Sequence, residues 1–555
     1  MKAFKKTALL FAIAMLTLNN AKANSYDING TPVRKGANLV GVITDSSTGK
    51  GIGGIPVSDG FSYAFTDANG VYQMTADPHC RFVSYSAPAE YKIALNAKGN
   101  VSFYSTVSFE TGAISRRDFV LERLDKDEND FTILAISDPQ CKYSWHKERY
   151  VNETIPDMQN SINEAQANGK YRNIYAVTLG DETYDNHDLF PEMRKAETGI
   201  KIKGDYGVLP VFDAIGNHDH DYNFADNDFN STALYCKWFG PTDYSFNRGK
   251  AHIVVMDDVL ACGAGKNTCK YDAGFTDEQM KWFQEDIATV KDPENTLLIF
   301  CTHIPFKGGE KTGGDAVNFD KNYDVILRLM TRFHEAHLLI GHTHCPENYI
   351  HEDYVCAGGQ PIYEHIHAAV CGGWWYSNLC IDGSPNGYAF YEIQGDSVRD
   401  WVAKGTGLDY DFQMRVYDGN DIYAGDVKTF GWEPEFKGCF IASVFNDDDE
   451  YWKLNLVCDG KTYPMKRVEQ GQVDWCAYSF HINVCHRLLS NASWHPRKKH
   501  YWTVEAPGGD PAAIKDWKIV ARQVIPSSGA VHEYECNKMQ RDFEGFAMYS
   551  DGTRK

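Results

Sequence analysis

The sequence of 555 residues predicts an α/β core flanked by two all-β segments. Three observations carry that expectation. Between Phe131 and Ile340, short apolar runs alternate with segments of helical spacing, the pattern of an α/β layer fold. From Asn38 to Met74, β-rich runs recur between turn residues with no helical period. Beyond roughly Asp400 the helical signal fades and strand-like runs return. A chain of this length also exceeds what one hydrophobic core supports, so three folded units are expected.

The N-terminal residues have the pattern of an export signal. Lys2, Lys5 and Lys6 precede the apolar run from Ala8 to Leu18, and Ala21-Lys22-Ala23 supplies small residues for an A-x-A cleavage site. Residues 1–23 are therefore expected to be a signal peptide, with an exported chain, periplasmic or extracellular, beginning near Asn24. The run is too short for a comfortable membrane span, and no second long apolar run follows it. No Cys follows it directly, which argues against a lipid-anchored form.

The next elements are the short runs Leu39 to Ile43, Ile55 to Val57 and Val71 to Met74, separated by the turns Ser47 to Gly51 and Thr66 to Gly70. Residues 24–126 are expected to form a small β-sandwich without catalytic residue types. Its pattern resembles the carboxypeptidase-regulatory-like module, and the charged stretch from Arg123 to Glu128 marks the way out of it. The core is expected over residues 127–400. Its buried-strand candidates are Phe131 to Ile136, Ile174 to Leu179, Val208 to Ile215, Leu297 to Phe300 and His337 to Ile340. Ile155, Met158, Ile162 and Ala165 share one helical face. Thr276-Asp277-Glu278-Gln279 forms a capping box ahead of Met280, Phe283 and Ile287. Residues 401–555 are expected to be β-rich, with strands at Cys439 to Phe445, Tyr451 to Val457 and Lys518 to Ala521.

Composition narrows the function. A formal charge of −20 argues against a protein that coats nucleic acid, whose surface would be basic. It leaves an anionic substrate open, because bound cations can dominate the field of one cleft. The 15 Cys permit disulfides in an exported chain, and the odd number leaves one thiol over. Cys262 with Cys269 and Cys371 with Cys380 flank short loops and are plausible pairs; Cys301, Cys439 and Cys458 sit in apolar runs as small buried residues. The oligomeric state is left open.

Five short motifs stand where the strands end: Ser137-Asp138-Pro139-Gln140, Gly180-Asp181, Gly216-Asn217-His218-Asp219, Thr302-His303 and Gly341-His342-Thr343-His344. Loops at the carboxyl ends of strands in an open α/β sheet converge on one crevice. Asp, Asn, Gln and His supply the oxygen and nitrogen ligands that suit Mn, Zn or Fe.

In order and spacing the set resembles the calcineurin-like metallophosphoesterase family over about Phe131 to Asp400, in the exported bacterial form with β domains on either side. The resemblance implies a four-layer α/β/β/α sandwich that hydrolyses a phosphomonoester or phosphodiester. It implies two transition-metal ions, the first held by Asp138, Gln140, Asp181 and His344. The second would be held by Asp181, Asn217, His303 and His342, with Asp181 bridging. Ions about 3.5–4 Å apart would turn a shared water into the attacking hydroxide. His218 takes the place of the leaving-group acid, with Asp185 and Asp219 beside it as further catalytic candidates.

Two positions depart from the common pattern. Gln140 stands where His is usual, which makes a harder and weaker ligand. Tyr184 stands where many members carry the residue that orients the catalytic His. Purple acid phosphatases place an iron-binding Tyr there, so an iron enzyme of that kind remains open, with Asp185 as the other candidate for orienting His218. A third alternative is a surface protein that binds a glycan or partner through its β domains, with a vestigial core. His220 and Asp221 extend the third motif and are expected to be solvated loop residues, with lining of the cleft as the alternative. His365 and His367 share one side of a strand in a packed or substrate-facing role, and Trp374 and Trp375 are expected to pack on the C-terminal domain.

Overall fold

The computed structural model describes residues 27–550 and 553–554, apart from 110–112, 172, 224–226, 262–270, 307–321, 425–428, 449 and 486–494. The expected signal segment and the Cys262–Cys269 pair lie outside the described residues.

Eleven strands of the core make two sheets. In chain order they are β1 (Asp130–Ile136), β2 (Ile174–Leu179), β3 (Val211–Ala214), β4 (Tyr244–Arg248), β5 (Ala251–Val255) and β6 (Leu297–Cys301). They continue as β7 (Glu335–Ile340), β8 (Glu347–Val355), β9 (Pro361–Ile366), β10 (Gly387–Gln394) and β11 (Ser397–Gly405). One sheet runs β3-β2-β1-β10-β11 and the other β4-β5-β6-β7-β9-β8. Strands β1, β2 and β3 are parallel, with Ile136 opposite Thr178 and Thr178 opposite Asp213. Strands β5, β6, β7 and β9 are also parallel, so both sheets bring strand carboxyl ends to one edge.

The parallel strands are buried on both faces, which is why they read as unbroken apolar runs rather than alternation. Ile133, Ala135, Tyr175 and Val177 face Ile253, Leu297, Ile299 and Leu339 between the sheets. On the outer face of the first sheet, Leu134, Ile136 and Ala176 pack on Met158 and Ile162 of helix α1 (Ile155–Ala167) and Met193 of α2 (Phe190–Glu197). Outside the second sheet, Val254, Leu298 and Phe300 pack on Met280 and Phe283 of α3 (Asp277–Ile287) and on α4 (Tyr323–Met330). The result is a four-layer α/β/β/α sandwich. Helix α3 opens on the expected capping box: Gln279 N donates to Thr276 Oγ1 at 3.1 Å and Thr276 N to Gln279 Oε1 at 2.9 Å.

The flanking segments are built on β-sheets and are not free-standing. The N-terminal strands Leu39–Asp45, Pro56–Ser58, Val71–Met74 and Phe82–Tyr85 bury Leu39, Val57, Tyr72 and Tyr85 in the cluster that continues between the core sheets. Tyr63 Oη donates to the buried Asp286 of α3 at 2.7 Å, and Trp282 Nε1 donates to Ser58 Oγ at 3.0 Å. The C-terminal strands form two four-stranded sheets around Met414, Phe440, Leu454, Leu456 and Ile519.

Two expectations need correction. Strand β11 runs through residue 400, so the first core sheet continues to Gly405. Cys371 and Cys380 are both free thiols, as are all the described cysteines; Cys380 Sγ lies 3.7 Å from Ala369 O. The C-terminal segment also holds a helix, Trp475–Phe480, started by Asp474 accepting from Ala477 N at 2.8 Å. Its all-aromatic and small sequence lacks the periodic polar face that marks a helix in solvent, because it is buried on every side.

Trp282 joins the N-terminal segment to the core, since its ring packs in the outer cluster while its Nε1 holds Ser58. Trp282→Ala is expected to cost about 3–5 kcal/mol. In denaturant unfolding, the N-terminal segment and the core should lose structure together at a lower midpoint than in the parent chain.

Candidate metal centre

The five motifs meet. Asp138 follows β1, Asp181 follows β2, Asn217 and His218 follow β3, His303 follows β6, and His342 and His344 follow β7. One oxygen or nitrogen atom from each of Asp138, Asp181 and His303 lies within 4.8 Å of the others. Asn217 Oδ1, His303 Nε2 and His342 Nδ1 form a triangle with edges of 2.9, 3.1 and 3.2 Å. His303 Nε2 is 3.4 Å from Asp181 Oδ1, and His344 Nε2 is 3.4 Å from Asp138 Oδ1.

These spacings suit a metal. Ligands bound at about 2.0–2.2 Å around one ion sit roughly 3 Å apart along the edges of its coordination shell. Asp138 Oδ1 and Gln140 Oε1 are buried with no hydrogen-bond partner, as ligand atoms without an ion must be. His303 donates Nδ1–H to Leu179 O at 2.7 Å, which turns its Nε2 lone pair toward the centre. The field points the same way. Burial disfavours charge on His303, yet Asp181 and Asp138 push its pKa up to about 10. A site that holds a proton so firmly offers the same attraction to a cation.

The backbone is bent to make this convergence. Asp138, Gln140, Asp181, His342 and His344 all have positive φ, between 40° and 72°. Two glycines make room. A Cβ on Gly216 would stand 2.3 Å from Asp181 Oδ1, and one on Gly341 would stand 2.4 Å from Ser137 Oγ and 2.8 Å from Asp138 Oδ2. Backbone amides then fix the carboxylates: His218 N donates to Asp181 Oδ1 at 2.8 Å and His342 N to Asp138 Oδ2 at 2.9 Å. Gln140 Nε2 donates to Asp181 Oδ2 at 2.6 Å, so its amide oxygen is the atom left for an ion.

His218 stands at the mouth of this cluster, partly exposed. Its Nδ1 donates to Asp185 Oδ1 at 2.9 Å. Burial lowers its pKa, but Asp181 and Asp185 outweigh that and hold it above the usual histidine value. The ring of Tyr184 stacks on His218, centroids 4.1 Å apart at 23°. Of the two candidates for orienting His218, Asp185 holds the position and Tyr184 packs against the ring.

Other expectations change. Asp219, expected among the catalytic groups, lies behind the site. Its carboxylate accepts from Gly216 N at 3.0 Å, Glu182 N at 3.1 Å and Thr183 N at 3.2 Å, tying the two loops that carry Asp181 and Asn217. His220 and Asp221 are buried rather than solvated, and His220 Nδ1 lies 2.6 Å from Ser231 Oγ. His367 donates Nδ1–H to Ile340 O at 2.8 Å and accepts from Tyr391 Oη at 2.9 Å; His365 lies 2.9 Å from His337 and 3.0 Å from Asn348. Both are packed and bonded within the core. Trp375 donates to Pro139 O at 2.7 Å, and Trp374 lies 4.9 Å from the His344 ring, so the pair braces the metal loops.

Sequence reasoning missed Asp258, which accepts from His303 N at 3.2 Å and Ile304 N at 2.9 Å and so aims His303. It also missed Cys371, whose Sγ is 3.7 Å from His344 Nδ1. Neither sits in a motif, and only the fold brings them near.

Three family models match the chain in succession. The N terminal of calcineurin-like phosphoesterase matches residues 37–124, calcineurin-like phosphoesterase matches 131–346, and the C terminal of calcineurin-like phosphoesterase matches 364–522. The chain belongs to the calcineurin-like phosphoesterase family. The catalytic-domain match takes in all five motifs, from Asp138 to His344. The C-terminal match begins within β9, before the expected boundary at residue 400.

Among solved structures, a purple acid phosphatase from yellow lupin (Lupinus luteus) seeds is 13% identical with a TM-score of 0.27, covering 60% of this chain and 53% of that one. An NAD nucleotidase from Haemophilus influenzae is 10% identical with a TM-score of 0.24, covering 50% and 49%. The chain thus spans about half the length of each. Likeness this slight decides neither the metal nor the substrate. No curated protein matches the sequence. Among the described residues, no helix is long and apolar enough to cross a membrane.

The position of Asp219 generates one expectation. Asp219→Ala leaves backbone amides unpaired in a buried place and should cost about 1.5–3 kcal/mol. Metal retained after dialysis should fall although no proposed ligand is removed. In contrast, Tyr184→Phe should keep its metal content and show no change in visible absorption, since the phenol oxygen is given no ligand role.

Proposed function

We propose that this phosphoesterase hydrolyses a phosphomonoester or phosphodiester at a two-metal centre and acts outside the cytoplasm. The observation that carries the reading is the convergence of seven candidate ligands from five strand ends, two of whose buried oxygens, Asp138 Oδ1 and Gln140 Oε1, have no hydrogen-bond partner. Asp138, Gln140, Asp181 and His344 would hold one ion and Asp181, Asn217, His303 and His342 the other, Mn, Zn and Fe all suiting the donor set. Bound ions supply Lewis acidity toward water and toward the phosphate oxygens.

The protein's own groups do the rest. Asp181 accepts from His218 N and Gln140 Nε2, so its carboxylate is fixed between the two halves of the site. His303 is locked by Leu179 O and by Asp258, which keeps Nε2 directed inward. His218, with Nδ1–H committed to Asp185, presents Nε2–H as the proton donor to a departing alkoxide. Asp185 steadies the imidazolium before transfer and the correct tautomer after it. A substrate phosphate enters where the buried carboxylates alone would repel it, so binding should require the cations.

Export rests on the N-terminal pattern of Lys2, Lys5, Lys6 and the Ala8 to Leu18 run. A mature chain beginning near Asn24 in the secreted or periplasmic fraction, read by N-terminal mass spectrometry, supports it; a chain found only in the cytoplasm with Met1 retained overturns it.

His218→Ala should keep its metal and slow hydrolysis of an ester with a poor leaving group by about 10²–10⁴-fold. With a nitrophenyl ester, whose leaving group needs no proton, the loss should be smaller. Asp181→Asn should lose metal and activity together, as should chelation of the parent enzyme. Equal slowing of both esters by His218→Ala, or activity that survives complete metal removal, would contradict the mechanism.

A further inference from the structure

Behind the candidate catalytic centre lies a second cluster of donors that the reaction does not use. Glu182 follows Asp181, Glu197 is the last residue of α2, and Asp213 lies in β3. One carboxylate oxygen from each lies within 4.8 Å of the others. All three side chains are buried, Glu182 and Glu197 with no exposed surface. Only part of this charge is answered. Arg194 pairs with Asp213 Oδ2, and Tyr150 Oη donates to Glu197 Oε1 at 3.1 Å. Both oxygens of Glu182, Oε2 of Glu197 and Oδ1 of Asp213 have no hydrogen-bond partner.

Fully ionised, three carboxylates and one guanidinium would leave two negative charges in a place without solvent. Buried charge without a partner is strongly unfavourable, so the folded protein must neutralise it. Four orphaned oxygens in one buried cluster describe a coordination shell more completely than a chain of hydrogen bonds, because each of these oxygens accepts and none donates when ionised.

We propose that Glu182, Glu197 and Asp213 hold a structural divalent cation of the calcium class, distinct from the catalytic ions. The donors are all carboxylate oxygens, which select hard cations over zinc or iron. Magnesium keeps several waters, whereas calcium accepts an irregular shell of protein oxygens at 2.3–2.6 Å, and oxygens within 4.8 Å of one another can share one such ion. The ion joins α2 and β3 to the residue after Asp181. It thereby anchors the loop whose other side Asp219 already holds through Glu182 N. The rival arrangement is protons shared among the same carboxylates, which would also neutralise them.

The test uses the holoenzyme with its catalytic metals in place. Protein produced with calcium present and dialysed exhaustively should retain about one calcium per chain by elemental analysis, beside its transition metals. Glu197→Gln and Asp213→Asn should each lose that calcium while keeping the transition-metal content of the parent. A calcium chelator should lower the melting temperature of the parent and leave that of Glu197→Gln unchanged. Folding of each variant is checked by circular dichroism, and the parent's own calcium content decides the question if both variants fail to fold. A parent chain with no stoichiometric hard cation, or calcium that survives both substitutions, overturns the proposal and assigns the cluster to shared protons. Transition-metal content and calcium content are read from one sample, so failure here is separate from failure of the two-metal reading.

Discussion

The convergence of buried donors at the strand ends is the constraint on which the rest of the molecule depends. A strand leaves the sheet in an extended direction, and its next side chain would ordinarily point away from the neighbouring strand. Here five donor residues take a left-handed backbone, which turns each side chain back over the sheet edge. Non-glycine residues in that region cost of order 1–3 kcal/mol each and persist only where the surroundings hold them. What holds them is the parallel pairing of β1, β2 and β3 and of β5, β6 and β7, which sets the strand ends at fixed spacing. The glycines at 216 and 341 let the loops approach closely enough for backbone amides to grip the Asp181 and Asp138 carboxylates.

Electrostatics follows from the same packing. Asp138, Asp181, Asp219, Glu182, Glu197 and Asp213 are all buried. Arg194 and the hydrogen-bonding amides offset part of this, and the folded state requires further positive charge. Burial and Asp181 push the Asp219 carboxyl up to about 7, and burial and Glu197 push Glu182 upward as well. A protein of net charge −20 can therefore serve an anionic substrate only by concentrating cations at this point. Stability and chemistry are coupled there, since ions that bind the folded chain and not the unfolded one stabilise it by mass action.

The flanking β segments take part in that stability. Tyr63 and Trp282 lock the N-terminal segment to α3, and Asp286 answers Tyr63, Ser245 and His252 together. On the other side Asn348 reaches Asn446 and Tyr363 reaches Asp448, both at hydrogen-bond distance across the C-terminal boundary. The carboxylates of such a core cannot be solvated piecemeal if its edges are pinned from both sides.

Sequence by itself determined the local pieces: where the parallel strands run, where Thr276 starts a helix, and which motif residues stand at strand ends. Periods of two and 3.6 and runs of apolar residues are local properties, so they survive without coordinates. The helix Trp475–Phe480 was not legible, since burial on all sides removes its polar face, and strand β11 was not, since the core sheet recruits it after the period has weakened. Whether a polar residue faces the site is not local at all. Asp185 and Tyr184 are neighbours in sequence, yet one orients His218 and the other stacks on it. Asp219 adjoins His218 but turns behind the loop, and Asp258, Cys371, Glu197 and Asp213 enter the region from distant segments. Tertiary structure alone decided these roles, because a side chain's partners depend on which strand ends the two sheets bring within 3 Å of it.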